Sequence, residues 1–171
     1  TELKNYNIYP EGTVSADITV SASGTQVASL DAGSTGQYVG GTFIIDRDGG
    51  NRTLTDITVT ETGSVDATLL TNPTLYYDIS ASDCVGESYG GGETNVVGSA
   101  FSGADGSTTF SSLGITLNNS NTFCGYVVFD VGSGAVNGET IQIEIANPSS
   151  DVVVTSSSVG PSSPVAPTGS T

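Results

Sequence analysis

The chain has no histidine, methionine or tryptophan, and only three of its 171 residues are basic. Without histidine there is no ordinary Ser-His-Asp or Cys-His arrangement and no imidazole-ligated zinc or iron. A glycosidase would need two carboxylates flanking a cleft, usually beside aromatic platforms. Glu61 and Asp66 flank one turn, where solvated turn residues explain them better than catalysis. The chain therefore reads as a non-enzyme with no required cofactor. No apolar run approaches the ~18 residues of a spanning helix, and no signal-peptide pattern stands at Thr1. With no methionine present, the sequence reads as a processed mature chain or an excised piece.

Lys4, Arg47 and Arg52 face 18 acidic residues, for a formal charge of −15. Such a field repels phosphate backbones and anionic membrane surfaces, so neither nucleic acid nor membrane insertion is expected. Solubility accounts for the charge, with cation binding or adaptation to salt as the alternative. Cys84 and Cys124 are the only sulfur-bearing residues. In a Ser/Thr/Gly-rich chain this even pair reads as a disulfide formed in an oxidising compartment. A metal or catalytic pair would need more ligands, or a base, than the chain offers.

Thr13 to Ala22, TVSADITVSA, puts Val14, Ala16, Ile18, Val20 and Ala22 on one face and polar side chains on the other. That is the period of a half-buried strand. Similar signals recur along the chain. Gly36–Asp46 and Thr53–Thr60 flank the turn Asp46-Arg47-Asp48-Gly49-Gly50 and read as a hairpin. Leu54 is out of phase with Ile57 and Val59, which predicts a bulge near Asp56. Thr74–Ser80 follows Pro73, which is expected only at a strand start. Phe123–Val131 and Ile141–Ile145 read as an antiparallel pair. No stretch carries a capped 3.6-residue period.

About eight to ten short strands predict an all-β fold, an antiparallel β-sandwich with immunoglobulin-like or jelly-roll topology and an N-terminal strand extension. The expected division is an extension over 1–12, a sandwich over 13–159 and a Pro/Ser/Thr-rich tail over 160–171. The tail has the composition of a stalk or linker. The Gly-rich segment from Asp83 to Gly106 reads as a surface excursion carrying Cys84.

Asp46 and Asp48, with Asp56 returning nearby, form the best ion-site candidate, since oxygen side chains around glycines suit calcium. Arg47 and Arg52 within the turn, and the missing terminal bidentate Glu, favour an ordinary loop. Asn51-Arg52-Thr53 and Asn118-Asn119-Ser120 are glycosylation sequons in predicted turns.

The run LTDITVTETGSVDATLLTNPTLYYD, with FCGYVVFDV and GETIQIEIANP, resembles the β-sandwich domains of prokaryotic surface proteins. With its alternating N-terminal arm, Ser/Thr-rich surface, disulfide and sequons, the chain is similar to pilin-like filament subunits assembled by donor-strand complementation, such as the archaeal threads. It departs from type IV pilins in lacking their hydrophobic helix, and from sortase substrates in lacking LPxTG.

The resemblance implies an extracellular, cell-surface structural subunit that polymerises with identical copies by strand addition. Val14, Ala16, Ile18 and Val20 would form the inserted face, and Tyr6, Ile8 and Tyr9 would extend the contact. A strand completing its own sandwich has the same pattern, so both pairings stay open. The alternatives are an S-layer or stalk domain, or an adhesin module binding a surface glycan or protein through Tyr89 in the long loop or around Tyr76.

Overall fold

The computed structural model of the chain describes residues 17–80, 83–84, 86–104 and 106–171. Strands account for 47% and helix for 5%, which makes the fold all-β. The strands are β1 (Ile18–Gln26), β2 (Gln37–Tyr38), β3 (Gly40–Arg47), β4 (Arg52–Glu61), β5 (Leu70–Ser80) and β6 (Thr94–Val97). After these come β7 (Ser107–Phe110), β8 (Ile115–Leu117), β9 (Thr122–Val131), β10 (Ile143–Glu144), β11 (Val152–Val154) and β12 (Val159–Gly160). Among the described residues the helical pieces are a 3-10 turn at Ala67–Leu69, before β5, and one short helix, α1 (Pro148–Asp151), before β11.

Two sheets face each other. The first runs β12-β1-β3-β9-β5-β6, with β2 also pairing along β9. In the second, β4 is central, with β10 and β11 on one side and β7 and β8 on the other. The alternating residues predicted to face inward meet between them. Ile18, Val20, Phe43, Ile45, Leu75, Phe123, Val127 and Phe129 pack against Leu54, Ile57, Val59, Phe110, Leu117 and Ile143 in one cluster. Fully burying each such side chain stabilises by roughly 1.5–3 kcal/mol before entropy costs.

Residues 18–26 take the self-paired alternative. β1 is antiparallel to β3 and parallel to β12, and Ile18 and Val20 are 0% and 2% exposed in the chain's own core. Val14 and Ala16, like Tyr6, Ile8 and Tyr9, lie outside the described residues.

Both expected hairpins are instead connections between sheets. β3 pairs with β1 and β9, whereas β4 lies in the opposite sheet; β9 and β10 are separated in the same way. Turn chemistry shows that a chain reverses, not that the flanking strands share hydrogen bonds. Here Ile45 and Ile57, like Phe129 and Ile143, come from opposite sheets and share one core. The bulge near Asp56 is present: Val153 pairs with Asp56 and Val154 with Leu54, so Thr55 is skipped and Leu54 turns inward.

Pro73 sits inside β5, not at its start, at a register shift between Thr71 and Thr74 where Asn72 has φ 50°. A bulge is the one interior place where a strand tolerates a residue without an N–H. Glu61 is wholly buried, not solvated: Oε1 accepts the N–H of Gly63 at 2.6 Å and of Gln142 at 3.2 Å.

The tail from residue 160 is docked and not a free stalk. Val165 exchanges two backbone bonds with Ile145, and Thr171 two with Ile141. Thr168 bonds to Gly24 and Gln26 of β1. Pro167 is buried over Gly41, where a Cβ would stand 2.2 Å from its ring, so only glycine fits. The tail thus bridges β1 and the residues around β10 along an edge of the sandwich. Its composition hid this because a segment without a donor at each proline can still satisfy alternate backbone groups.

Asp130 of β9 ties β5 to the residue just before β2. Its Oδ2 accepts from Asn72 at 2.7 Å and its Oδ1 from the Gly36 N–H at 2.6 Å. These bonds, the Asn72 amide first, hold the carboxyl below the ordinary carboxylate range. A carboxyl depressed by folding stabilises above its unfolded pKa, and that contribution is lost as pH falls through the folded value. Asp130→Asn is therefore expected to flatten the acid limb of a urea-measured stability profile between neutral pH and about pH 3, where native carboxylates protonate.

Candidate functional site

Two features stand out, a cleft at one end of the body and a tyrosine cluster on the outer face of the first sheet. β1 and β3 are antiparallel, and Asp48 bonds to the Asp17 carbonyl at 2.8 Å, so Asp17 lies at the pole of the 48–51 turn. The nine residues of β1 carry the chain about 30 Å to the other pole at ~3.3 Å per residue. There a cleft of about 560 Å³ opens between the 28–32 segment and the 135–141 segment, with Val65, Val131 and Thr171 at its walls. Its lining is mixed: Leu30, Val131, Ala135 and Ile141 are apolar, and Asp31 and Glu139 are acidic. Val136 is 65% exposed beside it.

The second feature lies on the outer face of the first sheet. Cys124 and Tyr126 of β9 point away from the main core, beside Ile44 of β3, Tyr76 of β5 and Tyr38 of β2. Cys84 bonds to Cys124 with a Cα–Cα distance of 5.7 Å. The bond tethers the following loop over the sheet and lays Tyr89 on this cluster. The Tyr89 centroid is 4.8 Å from Tyr38, 5.1 Å from Tyr76 and 6.2 Å from Tyr126. β9 is therefore buried on both faces, with Cys124, Tyr126 and Val128 covered on the outside as Phe123, Val127 and Phe129 are on the inside.

Carboxylates border the tyrosines. Glu93 accepts the Gly90 N–H; burial raises its pKa, but the N–H groups of Gly90, Glu93, Gly91 and Gly92 outweigh this and hold it low. Asp78 is raised by burial, then by the charges of Glu93 and Glu87. Tyr126 is 0% exposed and its hydroxyl has no partner among the described residues. Burial, followed by the charges of Asp78 and Glu87, pushes it up to about 12. An unsatisfied buried hydroxyl costs about 1–3 kcal/mol. Tyr126→Phe is accordingly expected to leave the protein at least as stable as wild type in urea unfolding, and a loss above about 1 kcal/mol would reveal a hidden partner.

The other sequence candidates fall apart from these features. Among the described residues no three metal-ligating side chains come together. Asp46 accepts the Arg47 N–H at 2.8 Å, Arg47 reaches the Gly50 carbonyl at 2.6 Å, and Asp48 is exposed in the turn. Arg52 pairs with Asp17 at 3.5 Å. Asn51 is exposed in the same turn and open to modification. Asn118 is half-buried and accepts the Ser120 N–H at 2.8 Å.

Tyr76 and Tyr89, singled out from the sequence, do meet. Tyr38, Tyr126 and the end cleft were not foreseen; alternation marked Tyr126 as outward-facing but not as covered. No protein-family model, no curated protein and no solved structure matches the chain.

Proposed function

We propose that the chain is an extracellular structural subunit that polymerises head to tail, with residues 1–16 of one copy docking at the end cleft of the next. The observation that carries this reading is polar separation: Asp17, to which that segment is joined, and the cleft lie at opposite ends of β1. A contact between two different surfaces is heterologous and need not close, so copies add in a line.

Because β1 is held on both sides within its own sheet, the inserted face moves upstream from Ile18 and Val20. Ile8 and Tyr9 supply the apolar anchors, and Lys4 is the cation for Asp31 and Glu139 at the cleft. The disulfide supports an oxidising, extracellular setting. The tyrosine face supports a second reading, an adhesin-type module, which a filament subunit can also serve.

The full chain and a chain starting at Asp17 should be compared by light scattering and negative-stain microscopy at neutral pH. The full chain is expected to form filaments and the truncated chain to stay folded and monomeric. Excess peptide of residues 1–16 should shorten the filaments. Filaments from the truncated chain, or a full chain that stays monomeric when concentrated, would overturn the reading.

A further inference from the structure

We propose that the outer face of the first sheet is a binding site for a protonated alkylamine, formed by Tyr38, Tyr76, Tyr89 and Tyr126 with the carboxylates of Asp78, Glu87 and Glu93. The site lies on the flank of the body, away from both poles, and does not depend on how copies assemble.

Several observations point to this ligand. Glu93 Oε2 and the Tyr126 hydroxyl are buried with no partner among the described residues, one an acceptor and the other able to accept. The described basic residues are engaged elsewhere, Arg52 with Asp17 and Arg47 with the Gly50 carbonyl. Asp78, Glu87 and Glu93 therefore stand near the tyrosine rings with no cation among the described residues to balance them, and ring faces attract an ammonium group. A compact metal ion is disfavoured because no three ligating side chains converge among the described residues.

A sugar is disfavoured by ring orientation. Tyr89 is tilted 40° to Tyr38 and 71° to Tyr76, so the rings pack on one another and leave no flat platform. An amine supplies N–H donors to both unpartnered oxygens and places its charge against the rings. Access requires Tyr89 to shift. Its loop is pinned at Cys84 and at Thr94 of β6, and between them Gly86 and Gly91 have φ of +89° and +81°, with Gly90 and Gly92 alongside.

The full chain should be titrated with n-butylammonium chloride by calorimetry and tyrosine fluorescence, with equal sodium chloride and n-butanol as controls. Saturable binding of the amine alone is expected. Glu93→Gln should weaken it about tenfold or more, and Tyr89→Ala likewise, while Tyr89→Phe, which keeps the ring face, should stay within about threefold. Spermidine and a lysine-containing hexapeptide then separate the sources: tighter peptide binding identifies a protein partner, tighter spermidine binding a free polyamine. A response matched by sodium chloride or butanol, one that does not saturate, or variants equal to wild type would overturn the proposal. Light scattering of the same samples reports assembly separately, so failure here leaves the filament reading intact.

Discussion

Reducing the Cys84–Cys124 bond should lower the unfolding free energy by about 4 kcal/mol, because the bond closes a loop of 40 residues and that is the chain-entropy stabilisation for such a loop. The loop includes the Gly-rich segment, which buries little of its own beyond Cys84 and Phe101, with Tyr89 half-buried. It also includes β8 and the first residues of β9, so the reduced unfolded chain regains freedom over a quarter of the molecule. Urea unfolding of the oxidised protein and of the Cys84→Ser, Cys124→Ser double variant measures the difference. The variant should in addition release Tyr89 from the cluster and change tyrosine fluorescence in the folded baseline. A difference below about 1 kcal/mol would mean that the loop is ordered by its contacts without the bond.

Truncating Phe123 to alanine should cost about 3–5 kcal/mol, the range for a fully buried phenylalanine whose cavity does not collapse. Phe123 is 0% exposed, stacks on Tyr77 at 5.4 Å, and lies on the strand that pairs with both β3 and β5. Neither neighbouring strand can close the gap without losing its register. Tyr126, three residues on and equally buried, tolerates loss of its hydroxyl because that group has no partner to lose. Together the two variants separate the inner core from the outer cluster, and a Phe123→Ala cost below about 2 kcal/mol would show that the inner face repacks.

The inward faces of β1 and β4 were legible in the sequence because a half-buried strand must alternate. The bulge by Thr55 was legible for the same reason, since Leu54 breaks phase. Which strands share hydrogen bonds was not legible. Residues on facing sheets and residues on paired strands show the same alternation, and only the crossing of β3 to β4 and of β9 to β10 between sheets decides it. The docked tail was hidden because its contacts are mostly backbone bonds from Val165, Thr168 and Thr171, which carry no side-chain signature.

Of the candidate sites, the disulfide could be read from cysteine count alone. The tyrosine cluster could not, because Tyr38, Tyr76, Tyr89 and Tyr126 are far apart in sequence and meet only through strand order and the tether. Ile18 and Val20 had a pattern consistent with either an inserted or a self-paired strand. Their burial against β3 and β12 moves the proposed contact to the residues before Asp17.

Cross-linking tests head-to-tail assembly most directly. Single variants Tyr9→Cys and Val136→Cys, mixed before assembly and oxidised, should yield a disulfide-linked dimer containing one of each on a non-reducing gel. The Tyr9→Cys, Val136→Cys double variant should give a covalent ladder that peptide 1–16 suppresses. Filaments that form without any ladder, or a double variant that cross-links only within single chains, would contradict docking of residues 1–16 at a neighbour's cleft.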